Sequence, residues 1–214
     1  VHSIIYDDVL GKAKGVRVID ALTKEVFEYY ARIIFLNAAC INSNLIMLNS
    51  ISNRFPNGLG NDSGVLGHYV AFHNYRGDVS ATFEGYEDQY YFGRRPTQVF
   101  VPAYRNIFKQ DTDYLRSFMS YYGASRMGWS KHSDHIGEAL KQDLQKPGAW
   151  HVSFGIQGET IPVFENHVRL STDKKDDWNI PQVVISVGYS ANDEKMSQDF
   201  LVQAAEMLDK AGCK

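Results

Sequence analysis

Cysteine is scarce: Cys40 and Cys213 are the only two in 214 residues, too few for a disulfide framework. Neither has a CxxC partner that would suggest structural zinc or thiol exchange. Long apolar runs are missing as well. Stretches such as Ile33 to Leu36 and Leu45 to Leu48 fall far short of the ~18 residues a membrane-crossing helix requires. Charge of one sign is not in excess either, since 22 Lys and Arg against 25 Asp and Glu leave a net charge of −3. The two signs are interspersed, which excludes a basic stripe for nucleic acid and a polybasic membrane segment. No internal repeat or low-complexity tract is present. The chain has no initiator Met and no signal-peptide pattern, and opens directly on a strand-like alternation. It closes on Gly212-Cys213-Lys214, just past a helix stop signal, so an internal piece of a longer polypeptide is expected.

What is present is an ordinary hydrophobic fraction rich in Tyr and Phe, enough to bury a substantial core. Alternation predicts three strands at Val1–Tyr6, Gly15–Asp20 and Ala31–Leu36, the last continuously apolar as if covered on both faces. The small residues Asn37-Ala38-Ala39-Cys40 follow, then a short helix over Asn42–Ser50. A Gly-, Asn- and Asp-rich stretch from Pro56 to Gly67 marks the domain boundary, dividing 1–68 from 69–214.

Beyond it, an aromatic-rich region predicts strands around Gln98–Val101 and Tyr114–Phe118, then a helix over Ser133–Leu144. Trp150, Val152, Phe154 and Ile156 alternate with His151, Ser153, Gly155 and Gln157, the pattern of a strand with one apolar and one polar face. On that polar face His151 and Gln157 are the candidate substrate contacts. Strands at 167–171 and 182–189 form an antiparallel arrangement. A final helix carries Met196, Phe200, Ala204, Met207, Leu208 and Ala211 on one stripe. The expected fold class is α+β: an antiparallel-rich sheet covered by helices on one face, preceded by a small strand–turn–helix unit.

Several motifs weigh against particular chemistries. Asn57-Gly58-Leu59-Gly60 contains a GxG, but the third glycine of the run, Gly64, comes one place late and no helix follows, so this is a loop rather than a dinucleotide fingerprint. His132, Asp134 and His135 approach the HxHxDH ligand run of metal-dependent hydrolases, with Ser130 where that run has its first His, and a metal-dependent hydrolase using them is the alternative enzyme reading. No GxSxG elbow is present, and Cys40 in its apolar neighbourhood reads as packing. Glu159 and Glu165 read as structural carboxylates rather than a glycosidase pair. Tyr86, Tyr90, Tyr91 and Tyr121 suggest a non-catalytic carbohydrate-binding or interaction module as a second reading.

The run from Ala31 to Ser50 resembles the segment of the glucose-methanol-choline (GMC) oxidoreductases in which a strand "AkxVvLaAGa" leads into "xSxxLLLxS". Asn57-Gly58-Leu59-Gly60-Asn61, then Val65-Leu66-Gly67-His68-Tyr69 and His73, is similar to the family's "NGLGN…VGrnlxxH". Glu159 to Pro162, Glu165 to Leu170 and Asn179-Ile180-Pro181 resemble its "E…P…NrVxLd…D…GxP". The sequence departs from that pattern at Ala39, where the family has Gly, and at His68, where it has Arg or Lys.

The resemblance implies an FAD-dependent oxidation of CH–OH groups, and it is strongest to the branch of pyranose oxidases and bacterial sugar dehydrogenases, which makes a sugar or another alcohol the expected substrate. It implies that 1–68 is part of a flavin-binding domain and 69–214 a substrate-binding domain. Val1, Ala38 and Ala39 match cofactor-contacting positions. The family's GxGxxG loop and catalytic His have no counterpart in 1–214, so no catalytic residue is expected within the chain, and the chain alone is expected neither to retain FAD nor to oxidise alcohols. A homo-oligomer or an electron-transfer partner is compatible with the family.

Overall fold

The computed structural model describes residues 1–89, 98–126, 133–146 and 148–214. They form two compact units, one built from 1–71 with 162–188, the other from 72–161 with 189–214. The chain first crosses from one unit to the other at 71/72, and 162–188 return to the first unit. The architecture is α+β, with three antiparallel sheets and three helices among the described residues.

In the first unit, β1 (Ser3–Asp7), β2 (Lys12–Ile19) and β3 (Val26–Tyr30) pair in that order. The third strand is therefore Val26–Tyr30 and not Ala31–Leu36. Residues 31–36 are irregular, with Ile33 72% and Phe35 82% exposed, because nothing among the described residues covers them on the two faces their apolar run requires. Helix α1 (Ala39–Asn49) begins three residues before the expected start, at the left-handed Ala39, φ +60°. Its last turn is fastened to β1 by buried Ser50, whose hydroxyl accepts from Ile4 N at 2.7 Å and donates to Ile46 O at 2.6 Å. The glycine-rich loop folds back on α1, Leu59 N donating to Met47 O at 2.9 Å.

In the second unit, the sheet order is β4 (His73–Asn74), β8 (Trp150–Glu159), β7 (Phe118–Arg126), β6 (Val99–Val101), with β5 (Asp78–Phe83) also on β8. The expected strand around Tyr114–Phe118 begins only at Phe118, since residues 106–116 are tied into a loop by the side chain of Asn106. The short α2 (Glu138–Leu144) follows Gly137 as its N-cap without a side-chain cap, and the Ser133 hydroxyl accepts from His135 N instead of from the helix. In the first unit again, β9 (His167–Lys175) and β10 (Pro181–Ser186) form a two-stranded antiparallel ladder, close to expectation.

Helix α3 (Ala191–Lys210) opens on a capping box in which Ser190 and Asp193 satisfy each other's backbone N–H groups. Met196, Phe200, Ala204 and Leu208, spaced at i, i+4, bury against Phe118, Phe154 and Ile156 of the sheet. Gly158 lets the helix sit low, since a Cβ there would meet Met196 Sδ at 2.5 Å. Burying such a row of large side chains contributes on the order of 2 kcal/mol for each. It fixes one face of the sheet.

Candidate functional site

The residues of the opposite face follow from strand register. On β8 the even-numbered residues turn toward α3, so His151, Ser153, Gly155, Gln157 and Glu159 occupy the outer face. Cross-strand partners share a face: His73 opposite Glu159, Met119 opposite Gln157, Tyr121 opposite Gly155, and Phe100 opposite Tyr121. The outer face therefore changes character across the sheet, from His73 and the β8 polar residues to Met119, Tyr121 and Phe100.

A cleft of about 460 Å³ lies along this change, lined by His73, Gln157 and Glu159 on one side and by Phe100, Pro102, Ala103 and Met119 on the other, with Ser117 and Phe118 at the loop end. Gln157 Nε2 stands 3.2 Å from His73 Nε2. With Gln157 donating, His73 accepts at Nε2 and carries its proton on Nδ1. Gln157 keeps its carbonyl oxygen and second N–H for a ligand. That pair suits a hydroxyl group, which both donates and accepts.

The apolar wall is held from behind. Arg105, two residues beyond Ala103, binds Asp199 of α3 through two hydrogen bonds of 2.9 Å, and the Tyr114 hydroxyl donates to the same carboxylate at 2.7 Å. Tyr114 is 2% exposed, and burial together with that bond pushes its phenol well above the usual range. The carboxylate in turn raises the already high pKa of Arg105, keeping the guanidinium charged. Asn106, at φ +53°, closes the loop through bonds to Thr112, Tyr114 O and Arg116 O.

Of the sequence candidates, Gln157 lies in the cleft. His151 shares its strand face but stands six residues away, ~20 Å at strand rise. It sits opposite Thr82 and Ser125, outside the cleft. Sequence reasoning noted His73 as part of a family motif without placing it in the site, and it missed Met119 and Phe100. The alternation of 99–101 against 118–126 carries the register signal for those two, but nothing in the sequence links Arg105 to Asp199, 94 residues apart.

The cofactor candidates fall in the first unit. Val1 is exposed at the rim of a small cavity that includes His2, Ile19, Ala21 and Trp178. Burial and the nearby Arg17 guanidinium lower the pKa of His2. Ala38 and Ala39 lead into α1, whose N-terminus has no side-chain cap. Its first-turn N–H groups thus have no side-chain partner from the cap residue. The next residue, Cys40, is exposed rather than packed.

The histidine run and the tyrosine group are less assembled. His132, Tyr90 and Tyr91 lie outside the described residues. Asp134 and His135 are exposed, and no cluster of three metal-ligating side chains occurs among the described residues. Tyr86 stacks on Phe83, whose row faces α3, whereas Tyr121 covers Gly155 on the outer face, so these two do not share a platform.

No model of a protein family matches the sequence. A 2-methyl-1,2-propanediol dehydrogenase of Mycolicibacterium austroafricanum is 27% identical over 216 residues, covering 92% of this chain and 37% of that enzyme. The chain is thus a distant homologue of an alcohol dehydrogenase and spans little more than a third of its length. No helix among the described residues is long and apolar enough to cross a membrane.

Proposed function

We propose that this chain is the alcohol-binding portion of a GMC-type FAD-dependent oxidoreductase acting on the CH–OH group of a sugar or another alcohol. The observation that carries the reading is the cleft on the outer sheet face, where the His73–Gln157 pair meets an apolar wall. It occurs in a chain homologous to an alcohol dehydrogenase. Gln157 is the substrate contact we assign, with His73 orienting its amide. His151 lies outside the cleft and serves the solvent side of the same face.

In this reading the unit of 72–161 and 189–214 carries substrate recognition, and the unit containing Val1, Ala38 and Ala39 contributes contacts to the flavin. Bound FAD supplies the hydride acceptor. The chain's own residues bind and orient the alcohol, and none of them is assigned as the base. With no GxGxxG loop among its 214 residues, the chain alone neither retains FAD nor turns over alcohol. Electron-transfer partners and homo-oligomers fit the same reading.

Titration of the ¹⁵N-labelled chain with a panel of alcohols and sugars tests it by NMR. Saturable shifts gathered at His73, Met119 and Gln157, and diminished by Gln157→Leu, are expected. Shifts gathered elsewhere, or none, refute the assignment.

A further inference from the structure

The proposed function leaves open which alcohols enter, and the cleft walls narrow that choice. Across the sheet, polarity falls from His73 on β4, through Gln157 and Glu159 on β8, to Met119 on β7, with Ser117 just before that strand at the polar end, and then to Phe100 on β6. Strands are ~4.8 Å apart, so β4 and β6 stand ~14 Å from each other across the sheet, and Phe100 is offset from His73 along the strands as well. Phe100, Pro102, Ala103 and Met119 carry no hydroxyl, amide or charged side chain, and Pro102 lacks even a backbone N–H, whereas the buried, unpartnered hydroxyl of Ser117 stands level with Glu159 at the polar end. Phe100 is 56% exposed, a large aromatic ring held open on the same face as the amide.

From this partition, and resting on the reading of the preceding subsection, we infer that the cleft takes an alcohol whose oxygens gather at one end, a monoalcohol or vicinal diol with an apolar body, in preference to a pyranose. A vicinal diol places both hydroxyls against Gln157, His73 and Glu159, and its hydrocarbon part against Met119, Phe100 and Pro102. A pyranose carries hydroxyls around its whole ring. Those on the Phe100 side would lose water and face carbon, and an unpartnered hydroxyl in such a place is unfavourable. The volume of about 460 Å³ falls within the range of small-molecule sites, so selection rests on polarity rather than on size.

The test compares 1,2-hexanediol with D-glucose as ligands of the full 214-residue chain, read by NMR shifts of the Gln157 side-chain amide and the Met119 methyl. The diol is expected to bind at least ~10-fold more tightly than glucose. Phe100→Ser, at an exposed position that leaves the core intact, is expected to shrink that ratio to below ~3-fold. Gln157→Leu is expected to weaken the diol without moving the Phe100 resonances of the free protein. Glucose binding as tightly as the diol, or a preference unchanged in Phe100→Ser, overturns the inference while leaving the alcohol-binding cleft standing. Failure of both ligands to shift any cleft resonance overturns the cleft itself.

Discussion

The ring of Tyr121 lies flat on the backbone of Gly155, so close that a Cβ at 155 would stand 2.6 Å from Cζ. The absence of a side chain on the central strand thus lets an aromatic ring settle beside the cleft. Gly155→Ala should displace Tyr121 and lower stability by about 1 kcal/mol, the scale of a modest overpacking. In a Tyr121→Ala background the same substitution should be neutral or slightly stabilising, because alanine suits a strand better than glycine. A urea double-mutant cycle measures the difference, and equal costs in both backgrounds would contradict the packing account.

Gly67 is held more rigidly. It has φ +88°, and a Cβ there would meet the backbone oxygen of Val168 at 2.3 Å, while its own carbonyl accepts from Val168 N at 2.8 Å. Backbone cannot swing aside as a ring can, so Gly67→Ala should cost more than Gly155→Ala, about 2–3 kcal/mol. Equilibrium denaturation of the two variants side by side checks the ranking.

Ala39 presents the opposite case, a residue with a side chain in a left-handed conformation at φ +60°. Such a backbone costs an L-residue about 1–2 kcal/mol, and glycine is spared that at some expense in chain entropy. Ala39→Gly should therefore raise stability by roughly 0.5 kcal/mol, visible as a small increase in the denaturation midpoint. A loss of stability would show that Ala39 is not strained.

The Arg105–Asp199–Tyr114 cluster predicts both a stability and a pH effect. Asp199→Ala removes three charge-assisted hydrogen bonds and strands the Arg105 guanidinium, at a cost of about 2–3 kcal/mol. It should also weaken alcohol binding, since the loop carrying Pro102 and Ala103 loses its anchor. Tyr114 keeps its proton in the folded chain at pH values where the unfolded chain releases it. Its contribution is then complete below the ordinary phenol value of 10.0 and is lost as pH rises above that value. Tyr114→Phe should flatten this alkaline decline, measurable by denaturation between about pH 9 and 11.

Local rules carried the sequence reading a long way and failed where distant chain had to decide. The alternation in 150–159 and the i, i+4 row of α3 are properties of single segments, so both elements and the face they bury could be read directly. The polar face of β8, and with it Gln157, came from the same periodicity. By contrast, the apolar run 31–36 looks like a covered strand, whereas Val26–Tyr30, all exposed, takes the ladder position beside β2 through backbone pairing that composition does not reveal. The cleft wall depends on the meeting of Arg105 with Asp199, which no spacing rule encodes.

Strand β3 stands at the end of its sheet with every residue exposed, and Phe27, Tyr29 and Tyr30 are among the large side chains it leaves in water. Such a margin is a template for further pairing. In concentrated solution the chain should therefore self-associate through this edge, broadening NMR lines as concentration rises. Tyr29→Lys, which places a charge on the margin at an exposed position, should restore the sharp spectra that the ligand titrations require.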